Sequence, residues 1–129
     1  MTHELTILTL AALLQAVQFA AYSIAANLQV GPKVAMGPRD NPPAISGIAG
    51  RLKRAMENHF EALIFFTIAA VVITLSDQST AVTKLAATSY LIARILYIPA
   101  YAFGLTPWRT VVWVWGFAST ITMLVAALI

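Results

Sequence analysis

Four long apolar runs are the feature that most constrains how this chain folds. At 1.5 Å rise per residue, an α-helix needs about 20 residues to cross a hydrocarbon core roughly 30 Å thick. The first, third and last runs reach that length, and the second reaches it only if its helix begins within the polar stretch before it. The runs are Leu5–Leu28, Ala62–Leu75, Ala81–Gly104 and Val111–Ile129. The sequence therefore predicts an all-α integral membrane protein, folded as a bundle of four transmembrane helices.

The composition agrees with this prediction and excludes several other classes of protein. Of the 129 residues, 60% are hydrophobic and only 10% are charged, which is too few to cover a soluble globule. We expect residues 1–129 to form a single membrane domain. The chain has no cysteine, so it has neither a disulfide framework nor a protein thiol nucleophile. Its two histidines, His3 and His59, are too few and too far apart for a metal site, and none is predicted.

The distribution of basic residues predicts the orientation in the membrane. The first connection carries most of them, and the second offers only Lys84. Because cytosolic loops carry an excess of lysine and arginine, we expect the first connection to be cytosolic and both termini to lie on the opposite side. The net charge of +3 then needs no nucleic-acid partner. Residues 31–50 of this connection are rich in proline and glycine, and form either a solvated connector or a lid.

The stretch "RLKRAMENHFEALIFF", residues 51–66, places polar side chains directly before the second apolar run. Arg54, Asn58 and Glu61 have the spacing i, i+4, i+7 and share one helix face, with Arg51 a turn earlier on the same stripe. His59 lies off that face. We expect His59 to lie in solvent or among lipid headgroups.

A similar spacing recurs in the third run, where Arg94, Tyr97 and Tyr101 follow i, i+3, i+7. Counting along the helices puts Glu61 and Arg94 at similar depth on adjacent antiparallel helices. Charges at that depth are costly unless they point into the bundle or into a wet cleft. Either the two form an architectural ion pair, or they belong to a site for a polar ligand.

The number of cations favours the ligand site. One carboxylate would satisfy one arginine, yet several arginines converge at this level. They are Arg51, Arg54, Arg94 and Arg109. The net charge of these side chains is therefore positive, which suits an anionic ligand held by bidentate guanidinium contacts. Arg51 could equally lie among lipid headgroups.

The segments "RAMENHFE" and "ARILYIPAY" resemble the MAPEG superfamily, the membrane-associated proteins of eicosanoid and glutathione metabolism, and in particular its small prokaryotic members. The family pattern R-A-x-x-N-x-x-E is matched by Arg54, Ala55, Asn58 and Glu61. The pattern R-x-x-Y-x-x-x-Y of the leukotriene C4 synthase branch is matched by Arg94, Tyr97 and Tyr101. The loop "MGPRDNPP" is similar too, and the resemblance covers essentially the whole chain.

The resemblance implies a homotrimer in the lipid bilayer, expected in a bacterial inner membrane, with glutathione as co-substrate between neighbouring subunits. Arg109 is then the catalytic residue, which stabilises the glutathione thiolate. A lipophilic small molecule is the second substrate. The residues that the resemblance implies for binding glutathione are Arg51, Arg54, Asn58, Glu61, Arg94, Tyr97 and Tyr101.

Three functions remain open at this stage. The first is a glutathione transferase or peroxidase that acts on lipophilic electrophiles. The second is a non-catalytic lipid-binding or scaffold protein of the same fold, which is favoured by Ala26 and Asn27, because relatives similar to leukotriene C4 synthase carry arginines at the corresponding end of the first helix. The third, a proton-coupled small transporter, rests on Glu61 and Arg94 alone.

Overall fold

The computed structural model describes residues 1–31, 37 and 45–129, which contain four α-helices and no strand. The helices are α1, His3–Val30; α2, Gly47–Leu75; α3, Ala81–Ala102; and α4, Thr106–Leu128. Each is long and apolar enough to span a membrane, which confirms the predicted integral membrane fold. Because α2 begins at Gly47, the polar stretch does belong to the second helix. Most of the segment proposed as a connector or lid lies outside the described residues.

The helices run up and down in chain order, with α2 and α3 at the centre. The helix α1 packs against α2 and α3, and α4 packs against α3 and α2. Small residues line these contacts, so the backbones approach closely. At the contact between α3 and α4, a Cβ added to Gly116 would lie 3.4 Å from the Cβ of Ala93. This close packing determines which side chains of α3 and α4 meet.

A buried carboxylate fastens α1 to the turn between α2 and α3. Glu4, in the first turn of α1, has no exposed surface. Each of its oxygens lies 2.9 Å from the Ser79 hydroxyl, and the Thr83 hydroxyl donates to Oε1 at 2.6 Å. Thr83 lies in the first turn of α3, where the helix dipole favours an anion. The contact therefore ties three elements together at this end of the bundle.

The outer surface of the bundle is apolar. Large hydrophobic side chains are exposed along all four helices, among them Leu13, Ile64, Leu85 and Val114. Exposing such a surface to water would be unfavourable for a soluble protein. Lipid chains are as apolar as these side chains and cover the surface without a free-energy cost. The chain therefore associates with the lipid bilayer through this apolar surface.

Candidate functional site

The end of the bundle where α3 stops and both α2 and α4 start collects the predicted cationic residues. We call it the arginine end and define it by Arg51, Arg54, Tyr101 and Arg109. The antiparallel order of the helices brings the first turns of α2 and α4 beside the last turn of α3. Arg109 lies in the first turn of α4, whose start also contains a proline. Three of the four arginines that the sequence expects to converge, Arg51, Arg54 and Arg109, therefore lie at this end of the bundle.

Tyr101 is the centre of this cluster. Arg54 donates a hydrogen bond from Nε to the Tyr101 hydroxyl at 3.0 Å. The guanidinium carbon of Arg109 lies 4.9 Å from the centre of the Tyr101 ring, within the range of a cation–π interaction. The ring of Tyr97 follows at 5.7 Å between ring centres. Cations from α2 and α4 thus meet on one tyrosine of α3. Among the described residues, each guanidinium keeps N–H groups without a partner, which can bind an anion.

Arg94 lies deeper and is almost completely buried, with 3% of its surface exposed. Its guanidinium carbon lies 4.3 Å from the centre of the Tyr97 ring, and Nη1 donates to Asn58 Oδ1 at 3.0 Å. Its Nε and Nη2 are buried and have no hydrogen-bond partner among the described residues. A buried cation with free N–H groups is costly in a membrane. These groups are therefore available to an acceptor atom of a ligand.

The ion pair between Glu61 and Arg94, one of the two alternatives that the sequence leaves open, is not formed. In the part of the chain that the structure describes, the one ion pair is between Lys53 and Glu57, at 4.0 Å. Asn58 binds the guanidinium of Arg94 instead. A separation of three residues turns Glu61 about 60° around the axis from Asn58, away from the line of contact with α3. Glu61 is consequently exposed, and its carboxylate is free for a positively charged group.

Glu61 and Arg94 nevertheless share a cavity of about 100 Å³ between α2, α3 and α4. Asn58 also lines it, so the cavity contains three of the predicted binding residues. Residues that the sequence analysis did not single out complete its walls. They are Phe65, Tyr90, Trp113, Phe117 and Thr120, together with small residues. Tyr90 precedes Arg94 by four residues, so extending the α3 motif one turn backwards would have found it.

Arg51 reaches the arginine end but binds the backbone there. Its Nη1 donates to the carbonyl oxygen of Ala102 at 3.3 Å, in the last turn of α3. The guanidinium also lies against Gly104, whose added Cβ would meet Nη1 at 3.4 Å and whose φ is +67°. A cation at a helix C-terminus is favourable. Arg51 therefore holds the turn between α3 and α4 in addition to any contact with a ligand.

The prediction that His59 lies in solvent or among headgroups is wrong. Its side chain has no exposed surface, and its Nδ1 lies 2.7 Å from Gln15 Oε1 on α1. His59 follows Asn58 by one residue, about 100° around α2, and this rotation turns it towards α1. The apolar run of α1 contains two glutamines, Gln15 and Gln18. They were the sequence signal that a polar side chain of a neighbouring helix contacts α1. The contact joins α1 to α2 behind the predicted site.

A family model described as the MAPEG family matches residues 7–129. The match includes both motifs and continues through the last helix. No curated protein and no solved structure gives a significant match.

Proposed function

This chain belongs to the MAPEG family, and we propose on that premise that it binds glutathione and acts as a glutathione transferase or peroxidase on lipophilic electrophiles. Family membership supports a membrane protein related to glutathione or eicosanoid metabolism. The observation that carries the finer proposal is the meeting of Arg54 and Arg109 on Tyr101, with the buried Arg94 about two turns deeper along α3.

Glutathione has the groups that this arrangement would bind. It brings two carboxylates, for which Arg54 and Arg94 offer guanidinium N–H groups. Its ammonium group suits the carboxylate of Glu61, which has no ion-pair partner among the described residues. The amide nitrogen of Asn58 can donate to a peptide carbonyl, because its contact with Arg94 uses only the amide oxygen. Tyr97 and Tyr101 would pack along the tripeptide.

Arg109 is the residue proposed to activate the sulfur. It is half-buried in the first turn of α4, where free backbone N–H groups and the helix dipole add positive potential. A nearby cation favours the thiolate over the thiol, and the thiolate is the nucleophile. The chemistry then needs no cysteine and no protein base.

A homotrimer is the proposed assembly. Arg54 and Glu61 are exposed on the single subunit, although both would contact the ligand. A neighbouring subunit that covers them would enclose glutathione, as the family resemblance leads us to expect. Mass measurement in a mild detergent tests this proposal, and a stable monomer that binds glutathione with full affinity would contradict it.

Calorimetry of the purified protein with glutathione in detergent tests the function directly. We expect binding heat in the wild type, together with ultraviolet absorbance of the bound thiolate at neutral pH. Arg54→Leu should abolish most of the heat. The matched control is Lys53→Gln, which removes the neighbouring cation that pairs with Glu57. No binding to the wild type, or equal loss in both variants, would contradict the proposal.

A non-catalytic lipid-binding or scaffold protein is the second candidate. The observation that favours it is the last turn of α1, which carries no basic residue. Relatives similar to leukotriene C4 synthase have arginines there, and this chain has Ala26 and Asn27. Glutathione that binds without any thiolate absorbance, and without conjugation to a reactive acceptor, would favour this candidate.

A further inference from the structure

We propose that α1 and α2 bind a water molecule between them, which donates one hydrogen bond to His59 Nε2 and the other to Gln18 Oε1. The site is distinct from the arginine end and from the cavity beside Arg94, which is lined by other residues. It requires no glutathione and is tested without it.

The hydrogen bond between α1 and α2 determines which ring nitrogen of His59 carries a proton. Its Nδ1 lies 2.7 Å from Gln15 Oε1, and an amide oxygen only accepts, so Nδ1 is the donor. A second proton, on Nε2, would place a positive charge in the interior of the bundle, one residue from the Asn58 that binds the guanidinium of Arg94. The ring is therefore neutral, and its Nε2 is a hydrogen-bond acceptor.

Two acceptor atoms are thus buried at this interface without a donor. His59 has no exposed surface, and Gln18 is 4% exposed. His59 Nε2 and Gln18 Oε1 have no hydrogen-bond partner among the described residues. Since both atoms are acceptors, they cannot bond to each other. The side chain of Arg94 does not supply the donor, because in the described chain it donates only to Asn58.

The register of the two helices brings both acceptors to nearly the same level. Because α1 and α2 are antiparallel, one turn beyond Gln15 on α1 corresponds to one turn before His59 on α2. Those positions are Gln18 and Ala55. Ala55 is completely buried, and its methyl side chain takes up little space beside the imidazole. Gln18 lies about 4.5 Å along the axis from Gln15, and two acceptors bridged by one water also lie about 4.5 Å apart.

Water suits this site better than any other donor. The hydroxyl groups of lipids do not reach it, because the bundle covers both side chains. A water molecule offers two donor protons, and a buried water commonly makes about three hydrogen bonds to polar groups that would otherwise be unpaired. Two buried acceptors without a donor would cost free energy inside a membrane. The bound water therefore links α1 to α2 in addition to the contact between Gln15 and His59.

Solid-state NMR of the ¹⁵N-histidine-labelled protein in lipid bilayers tests the site. The chain has two histidines, so His3→Gln leaves His59 as the only imidazole. His3 contacts Thr88 from the first turn of α1 and takes no part in the site. We expect a proton on Nδ1 alone, and transfer of magnetisation from water protons to Nε2. A protonated Nε2, or no transfer from water, would overturn the proposal.

A second variant tests the other acceptor, in the same His3→Gln background. Gln18→Met keeps the length of the side chain and removes its oxygen, so most of the transfer from water to Nε2 should be lost. The matched control is Gln78→Met, in the turn between α2 and α3, which should preserve the transfer. Unchanged transfer in Gln18→Met would contradict the two-acceptor site.

The melting temperature distinguishes a hydrated interface from a dry one. Gln18→Met should leave the melting temperature unchanged or lower it, because water satisfies the acceptor that the substitution removes. In a dry interface the same substitution would remove an unpaired buried acceptor and raise the melting temperature. Such a rise would overturn the proposal. If Gln18→Met does not fold, the transfer to Nε2 in His3→Gln alone decides whether water is bound.

Discussion

Replacing Arg109 by leucine should remove the activation of the thiol while leaving most of the affinity for glutathione. Arg109 projects from the start of α4 and contacts the Tyr101 ring, whereas the proposed carboxylate ligands, Arg54 and Arg94, lie on α2 and α3. A sulfur placed against the Arg109 guanidinium would lie about 5 Å from its central carbon. At an effective dielectric constant of about 20, the attraction between the two charges is roughly 3 kcal/mol.

This attraction corresponds to a fall of about two units in the pKa of the ligand thiol. Because Arg109 is only half-buried, solvent screens part of it, and we expect a fall of about one to two units. From an ordinary thiol pKa of about 8.5, the thiolate fraction at pH 7 should rise from about 3% to between about 25% and 75%. Leucine should return it to about 3%.

The assay is the ultraviolet absorbance of bound glutathione as a function of pH, with calorimetry on the same samples. In Arg109→Leu, the titration midpoint should rise by about one to two pH units, the magnitude that follows from the charge interaction. The dissociation constant of glutathione should change only a few-fold. The titration midpoint of Arg109→Lys should lie between those of the wild type and Arg109→Leu. A variant that keeps the low midpoint and loses affinity would show that Arg109 binds the tripeptide and that another group activates the sulfur.

The remaining predictions concern the carboxylates and the topology. Glu61→Gln should weaken glutathione binding about tenfold by calorimetry. The melting temperature should not change, because Glu61 is exposed and unpaired in the described chain. A large loss of stability would contradict this prediction. Glu4→Ala should destabilise the bundle by about 1–3 kcal/mol in detergent unfolding, since it leaves buried hydroxyls unpaired, whereas the exposed Glu57→Ala should have little effect. A reporter fused after Ile129 should be active only outside the cytosol, and cytosolic activity would reverse the predicted orientation.

Much of the site could be predicted from spacing along single helices. An α-helix repeats every 3.6 residues, so Arg54, Asn58 and Glu61 had to share a face, as did Arg94 and Tyr97. The order of four spans then required that the start of α2, the end of α3 and the start of α4 lie at one end. The convergence of the arginines followed from these local rules.

Contacts between helices were not predictable in the same way, because they depend on the rotation of each helix about its own axis. A rotation of α2 by a few tens of degrees about its axis decides that Asn58 and not Glu61 binds Arg94. The same rotation decides that His59 faces Gln15 on α1. Sequence periodicity states which residues share a face but not which neighbour that face meets.

By itself, the sequence determined the four membrane helices and the cationic end, because span length and the cost of charge in lipid act on each segment alone. Only the tertiary structure decided that Glu4 caps the turn between α2 and α3, and that Tyr90, Trp113 and Phe117 enclose a cavity beside Arg94. The cavity depends on how closely small residues such as Ala93 and Gly116 let the backbones of α3 and α4 approach. That distance is set by packing among all four helices at once.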